Sequence, residues 1–192
     1  MKKIYGCVVA LILLSFVFTG VFLSVAPDVV PVHFGVDGTV DRWGSKYEFL
    51  LLPGIALIAG AVMLVTGKFG TKKEKQNEKV VGVTTIWMLI LINGLFAFFM
   101  VKALQGGSAM ENLSDQTIKW VAMALFAVFI PLGNLMPKLK RGNMMGLRTF
   151  WSTANDACWQ KSQRFAGFWM VGTGIVGVAV TAITPAAWSV LS

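Results

Sequence analysis

Two polar stretches hold nearly every side-chain grouping in this chain that could do chemistry, and long apolar runs separate them. The first, Pro27 to Glu48, contains Pro31, His33, Asp37, Gly38, Asp41, Arg42, Trp43 and Lys46. His33 with Asp37 and Asp41 offers one imidazole and two carboxylates. A single His with two loop carboxylates has no diagnostic ligand spacing, so no metal is assigned. The residues fit local charge pairing better: Asp41 and Arg42 in nearby pairs, Trp43 anchored at a membrane interface, and Lys46 capping the following helix near headgroups. His33 is the chain's one histidine and the candidate for a pH-sensitive role. Val30 before Pro31 is biased to extended backbone and Asp37-Gly38 is a two-residue turn signal, which together predict a small hairpin or structured loop.

The second stretch straddles the end of an apolar run: Gly133, Asn134, Met136, Pro137, Lys138, Lys140, Arg141, Asn143, Gly146, Arg148, Thr149 and Trp151. Pro137 ends the preceding helix, and Gly142 and Gly146 permit tight turns. The cations Lys138, Lys140 and Arg141 suit anionic lipid, which accounts for the charge but not for the interleaved Asn, Gly and Trp. Ser152 or Asn155 is a good N-cap for a short helix carrying Trp159, Lys161 and Arg164, and Trp151 and Trp159 suit an interfacial helix on the inner leaflet. A competing reading makes Asn134, Asn143, Arg148 and Trp151 the lining of a transporter or small-ligand pocket. No Ser/His/Asp set, metal cluster or phosphate loop accompanies them, so neither enzyme chemistry nor a cofactor is expected. Gly172-x-Gly174-x-x-Gly177 matches a dinucleotide fingerprint by letter, but it lies inside an apolar run with no strand before it. It reads as a smooth face for close helix approach, as do Gly54 and Gly60.

The elements that must position these stretches are membrane spans. Hydrophobic residues make up 56% of the chain and charged ones 14%. Crossing a hydrocarbon core takes about 20 apolar residues, and five runs qualify: Ile4 to Val25, Phe49 to Thr66, Val80 to Leu104, Ile118 to Met136 and Phe165 to Ile183. The fold class is an all-α integral membrane protein of five transmembrane helices. Residues 1–66 form a helical hairpin with outer loop 27–48, and 67–192 a second helical region with motif loop 137–164. The first run is too long for a signal h-region and is read as retained.

Orientation follows from the basic residues. With the N-terminus in the cytoplasm, Lys2, Lys3, Lys68, Lys72, Lys73, Lys75, Lys79, Lys138, Lys140, Arg141, Arg148, Lys161 and Arg164 lie inside. Arg42, Lys46, Lys102 and Lys119 lie outside, a bias of 13 to 4 that also puts the C-terminus outside. The formal charge of +8 is therefore a topology and headgroup signal, and direct nucleic-acid binding is not expected. Cys7 and Cys158 fall near the reducing side and imply no disulfide. No charged residue falls mid-span, which weighs against a pump, while Asn93 suits a hydrogen bond between helices.

The motifs Gly133-Asn134-x-Met136-Pro137-Lys138-x-Lys140, Asn143-x-x-Gly146-Leu-Arg148-Thr149-x-Trp151, Trp159-x-Lys161 and Arg164-Phe165-Ala166-Gly167 closely resemble the signature of the SdpI family. Pro31-x-His33-Phe-Gly and Gly38-x-x-Asp41-Arg42-Trp43-Gly44-x-Lys46 resemble the N-terminal domain of unknown function that commonly accompanies it. The resemblance implies a multi-pass protein of the bacterial cytoplasmic membrane that gives immunity to a secreted peptide toxin. It also implies, as a partner besides membrane lipid, a cytoplasmic transcriptional repressor recruited to the membrane. The chain departs from the usual pattern at Leu147 and Phe150, where Ile and Pro are usual, and at Gln163, which replaces a frequent His.

Overall fold

The computed structural model of the chain describes residues 1–35, 39–69, 75–105, 115–142 and 145–184. It is mostly helical, with five helices long and apolar enough to cross a membrane. These are α1 (Lys2–Val25), α2 (Leu51–Phe69), α3 (Lys75–Gln105), α4 (Asp115–Leu135) and α5 (Asp156–Ile183). An antiparallel hairpin of β1 (Val29–Phe34) and β2 (Val40–Ser45) follows α1, and a 3-10 turn at Lys46–Leu50 leads from it into α2. The all-α expectation thus gains one strand pair. The Asp37-Gly38 turn lies outside the described residues.

Apolar runs mark the part of a helix that lipid covers, and two helices extend well past them. α3 begins at Lys75 rather than Val80, because Gln76, Glu78 and Lys79 are good helix formers. Its buried face continues through them, with Asn77, Val80, Val81, Thr84 and Thr85 at helical spacing. α5 begins at Asp156 rather than Phe165, with Asn155 accepting a hydrogen bond from the Cys158 amide at 2.8 Å as its N-cap. The separate interfacial helix expected around Trp159, Lys161 and Arg164 is therefore the first turns of α5 itself. No Gly or Pro breaks 156–165, and Trp159 and Gln163 share a buried face with Gly167 and Gly174.

α1, α2 and α3 pack against one another, α4 packs most extensively on α5, and α3 against α4 is the main joint between the two groups. One apolar cluster beneath the hairpin joins Phe22, Ala26, Val30, Phe49, Met100 and Ala103. A second, deeper in the first group, joins Val8, Ile12, Ala56 and Leu89. Between α4 and α5 the backbones nearly touch: a Cβ on Gly133 would stand 2.8 Å from the Gly167 carbonyl oxygen, and one on Gly167 would stand 2.6 Å from that of Gly133. Gly174 and Gly177 likewise admit Ile130 and Phe126, and Gly60 admits Ile12, whereas Gly54 and Gly172 face open space. The glycine contact face is therefore real at Gly60, Gly174 and Gly177 and does not include Gly54 or Gly172. Asn93 bridges helices as expected, its amide donating to Leu11 O on α1 at 3.2 Å and to Leu89 O at 2.9 Å.

Candidate functional site

The hairpin is seated by Val30, which is fully buried in the cluster with Phe22 and Phe49, while Phe34 stacks on Phe99 of α3 at 6.0 Å. Pro31 pairs with Trp43 and His33 with Arg42, and the register shifts between Pro31 and His33. That irregularity brings His33 Nδ1 within 2.6 Å of Asp41 Oδ1, both side chains about half exposed or more. Arg42 donates to Glu48 Oε2 at 2.8 Å. A Cβ on Gly44 would collide with the Glu48 carboxylate, so Gly44 leaves the room that this pair uses. Trp43 is half exposed at the hairpin surface. Lys46 departs from expectation. Its side chain is only 16% exposed, and Nζ pairs with Asp28 at 3.0 Å and donates to Ala26 O at 3.2 Å. Ala26 is the C-cap of α1, so Lys46 places its charge at the negative end of α1 rather than capping the start of α2. Ser45 takes the latter role for the 3-10 turn, accepting from the Tyr47 amide.

At the opposite end of the bundle the second polar stretch forms an ordered loop clamped to two helices. Pro137 lies in a 3-10 turn, Met136–Lys138, that ends α4, and its ring packs beside Gly167. The next residues are held by side chains standing in for a neighbouring strand. Asn77 of α3 donates Nδ2 to Lys140 O at 3.0 Å and accepts from the Lys140 amide on Oδ1 at 2.6 Å. Gln163 of α5 does the same for Leu147, donating Nε2 to its carbonyl at 2.9 Å and accepting from its amide at 3.0 Å. Between them the Trp159 indole donates to Leu139 O at 2.8 Å. Asn77, Trp159 and Gln163 are all buried, and pairing with loop backbone satisfies their own polar groups while holding the loop against the bundle.

The rest of the loop follows from these fixed points. Gly146 takes φ +114°, and a Cβ there would meet the Gln163 amide at 2.8 Å, so a residue without a side chain is required beside the clamp. Gly142 takes φ +93° with open space around it. Thr149 and Ser152 bond reciprocally, amide to hydroxyl, at 2.7 and 3.0 Å, and Ser152 Oγ also donates to Leu147 O at 3.0 Å. Arg141 ties the loop to the start of α5 through Asp156 at 2.5 Å.

The structure thus separates the motif residues by role. Trp159, Gly146 and Thr149 build the loop, and Pro137 shapes its entry. Lys138, Arg148 and Arg164 are exposed, and Trp151 is exposed beside Phe150. Asn143 and Gly38 lie outside the described residues. Asn134 faces away from the loop into a groove of 810 Å³ between α3 and α4, with Trp87 and Pro131, and that groove includes neither Arg148 nor Trp151. The polar pocket of Asn134, Arg148 and Trp151 is therefore not assembled. Trp159 is a core residue, not an interfacial anchor. Sequence reasoning missed Asn77 as a clamp and treated Gln163 only as a departure. Extending the buried phase of α3 back from Val81 to Asn77, and that of α5 from Gly167 to Gln163, would have found both.

Known proteins match parts of this chain. Over 45 residues, 23% of this chain and 25% of the relative's length, it is 47% identical to an uncharacterized protein of Archaeoglobus fulgidus. No solved structure matches. The model of a domain of unknown function, DUF1648, matches residues 10–57, which hold α1, the hairpin and the start of α2. Residues 138–192, which begin at the clamped loop and contain α5, match the model of the SdpI/YfhL protein family, so both family resemblances carried by the two polar motifs are found, each over its own part of the chain.

Proposed function

We propose that this chain is a membrane immunity and sensor protein that protects its cell against a secreted peptide toxin and recruits a cytoplasmic transcriptional repressor to the membrane. In this reading the basic ends of the helices lie in the cytoplasm of a bacterial cell, as the Lys and Arg bias favours. The hairpin with His33, Asp41, Arg42 and Trp43 meets the toxin outside, and the loop between Lys138 and Arg164 is the working surface inside.

The observation that carries the reading is that the SdpI-like motif coincides with the clamped loop, and that α3 is attached to both polar sites. Phe99, Met100 and Ala103 hold the hairpin, and Asn77 holds Lys140. Those ends are about 33 Å apart at 1.5 Å per residue, so a tilt or shift of α3 imposed at the hairpin reaches the loop through one rigid element. The test is to express the chain in toxin-sensitive cells and challenge them with each small secreted peptide encoded beside its gene. Survival with the chain and death without it is expected. Equal sensitivity to every such peptide refutes immunity, and a repressor that stays soluble when chain and toxin are both present refutes recruitment. Among the described residues of the transporter alternative, Asn134 lines a groove that Arg148 and Trp151 do not share, which does not favour that reading.

A further inference from the structure

Phe150 and Trp151 stand edge to face at 5.5 Å, 83% and 77% exposed, on the clamped loop. The clamps fix the depth of that loop. Gln163 grips Leu147 and Trp159 grips Leu139, so the loop runs alongside the first turns of α5. α5 has 28 residues, and its sequence is apolar towards Ile183. A hydrocarbon core takes about 20 residues, and counting that number back from Ile183 puts its edge near Arg164. Gln163 and the Leu147 peptide then lie at headgroup depth. The exposed side chains of α5 change character at the same level: Lys161 and Arg164 come first, then Phe165, Phe168 and Trp169. Phe150 and Trp151 follow that anchored peptide by three and four residues, in the turn between Leu147 and Thr153, close to the headgroup region where Trp is favoured.

The surrounding charge has one sign. Lys138, Lys140, Lys161 and Arg164 are exposed and make no ion pair among the described residues. Such a set complements the phosphates of anionic phospholipids, and a nearby basic cluster strengthens interfacial insertion of an apolar wedge. We propose that Phe150 and Trp151 insert into the leaflet on the basic side of the membrane, and that these four cations hold anionic lipid headgroups around them. The inference goes beyond the immunity reading and does not depend on it. It makes the loop a lipid-anchored platform whose aromatic tip lies in the leaflet.

The experiment uses the full chain carrying Cys7→Ser and Cys158→Ser, with Phe150→Cys, Trp151→Cys or, as the aqueous reference, Lys75→Cys. Each variant is spin-labelled and reconstituted in bilayers of phosphatidylcholine and phosphatidylglycerol. Power-saturation measurements then compare collisions with oxygen, which concentrates in lipid, and with a water-soluble nickel chelate. Oxygen should dominate at 150 and 151 and the chelate at 75, and replacing phosphatidylglycerol by phosphatidylcholine should shift 150 and 151 towards the chelate. Chelate-dominated labels at 150 and 151 in the mixed bilayer overturn the proposal and leave the tip open to a soluble partner. Labels shielded from both reagents overturn it in favour of burial against a second copy. An unchanged ratio on removing anionic lipid overturns the role given to the cations.

Discussion

Replacing Gln163 by Ala should release the loop without disturbing the bundle. Gln163 is fully buried and holds Leu147 by two hydrogen bonds of 2.9 and 3.0 Å. Each contributes about 1 kcal/mol net, so their loss weakens local closure by about 2 kcal/mol. The Leu147 carbonyl keeps the Ser152 hydroxyl at 3.0 Å, so the uncompensated loss falls on the Leu147 amide. At about 1.4 kcal/mol per decade, the opening equilibrium of the loop rises about 30-fold. The assay is hydrogen–deuterium exchange of the reconstituted protein, comparing peptides from the loop around Leu147 with peptides from α1. Protection around Leu147 to Ser152 should fall by roughly that factor, since exchange reports local opening free energies, and α1 should not change. A loop that exchanges as in the wild type would refute the clamp, and an equal loss in α1 would show that Gln163 supports the whole fold.

Asn77→Ala removes the matching pair of bonds to Lys140 and should expose the Leu139 to Arg141 backbone by a similar margin of about 2 kcal/mol, read in the same experiment. Gly146→Ala should destabilise by more than the roughly 1–2 kcal/mol of a left-handed residue alone, because its methyl also meets Gln163; Gly142→Ala, in open space, should cost only the backbone part. Thermal unfolding in detergent compares the two, and equal shifts would remove the steric argument. Gly133→Ala puts a methyl 2.8 Å from a backbone carbonyl of α5 and should lower the melting temperature, whereas Gly54→Ala meets nothing and should leave it level or raise it, since Ala favours helix by up to about 1 kcal/mol. Arg42→Ala should cost no more than about 1 kcal/mol, because its partner Glu48 and Arg42 itself are both substantially exposed.

The spans were readable because lipid imposes one simple requirement, a long run of apolar residues, and all five runs became helices. The hairpin was readable from Pro31 and the turn signal at Asp37-Gly38, and the N-cap from Asn155. Helix ends beyond the lipid were not readable from hydropathy. There the phase of the buried face decides, and Asn77 and Gln163 look like surface residues until that phase is carried past the charged linker. Lys46 shows the same limit: its charge and position near a helix start suggested a cap for α2, but the hairpin folds it back to the end of α1. Trp159 was misplaced because Trp beside cations reads equally well as an interfacial anchor and as a buried donor, and only the contact with Leu139 distinguishes them.

The most direct test of the account is a dose–survival curve for toxin-challenged cells making the wild-type chain or the Asn77→Ala/Gln163→Ala double variant, at matched abundance in the membrane. The clamped loop is the working surface in this account, so the double variant should lose protection and kill curves should approach those of cells without the chain. Full protection by a variant whose loop is shown by exchange to be open would contradict it.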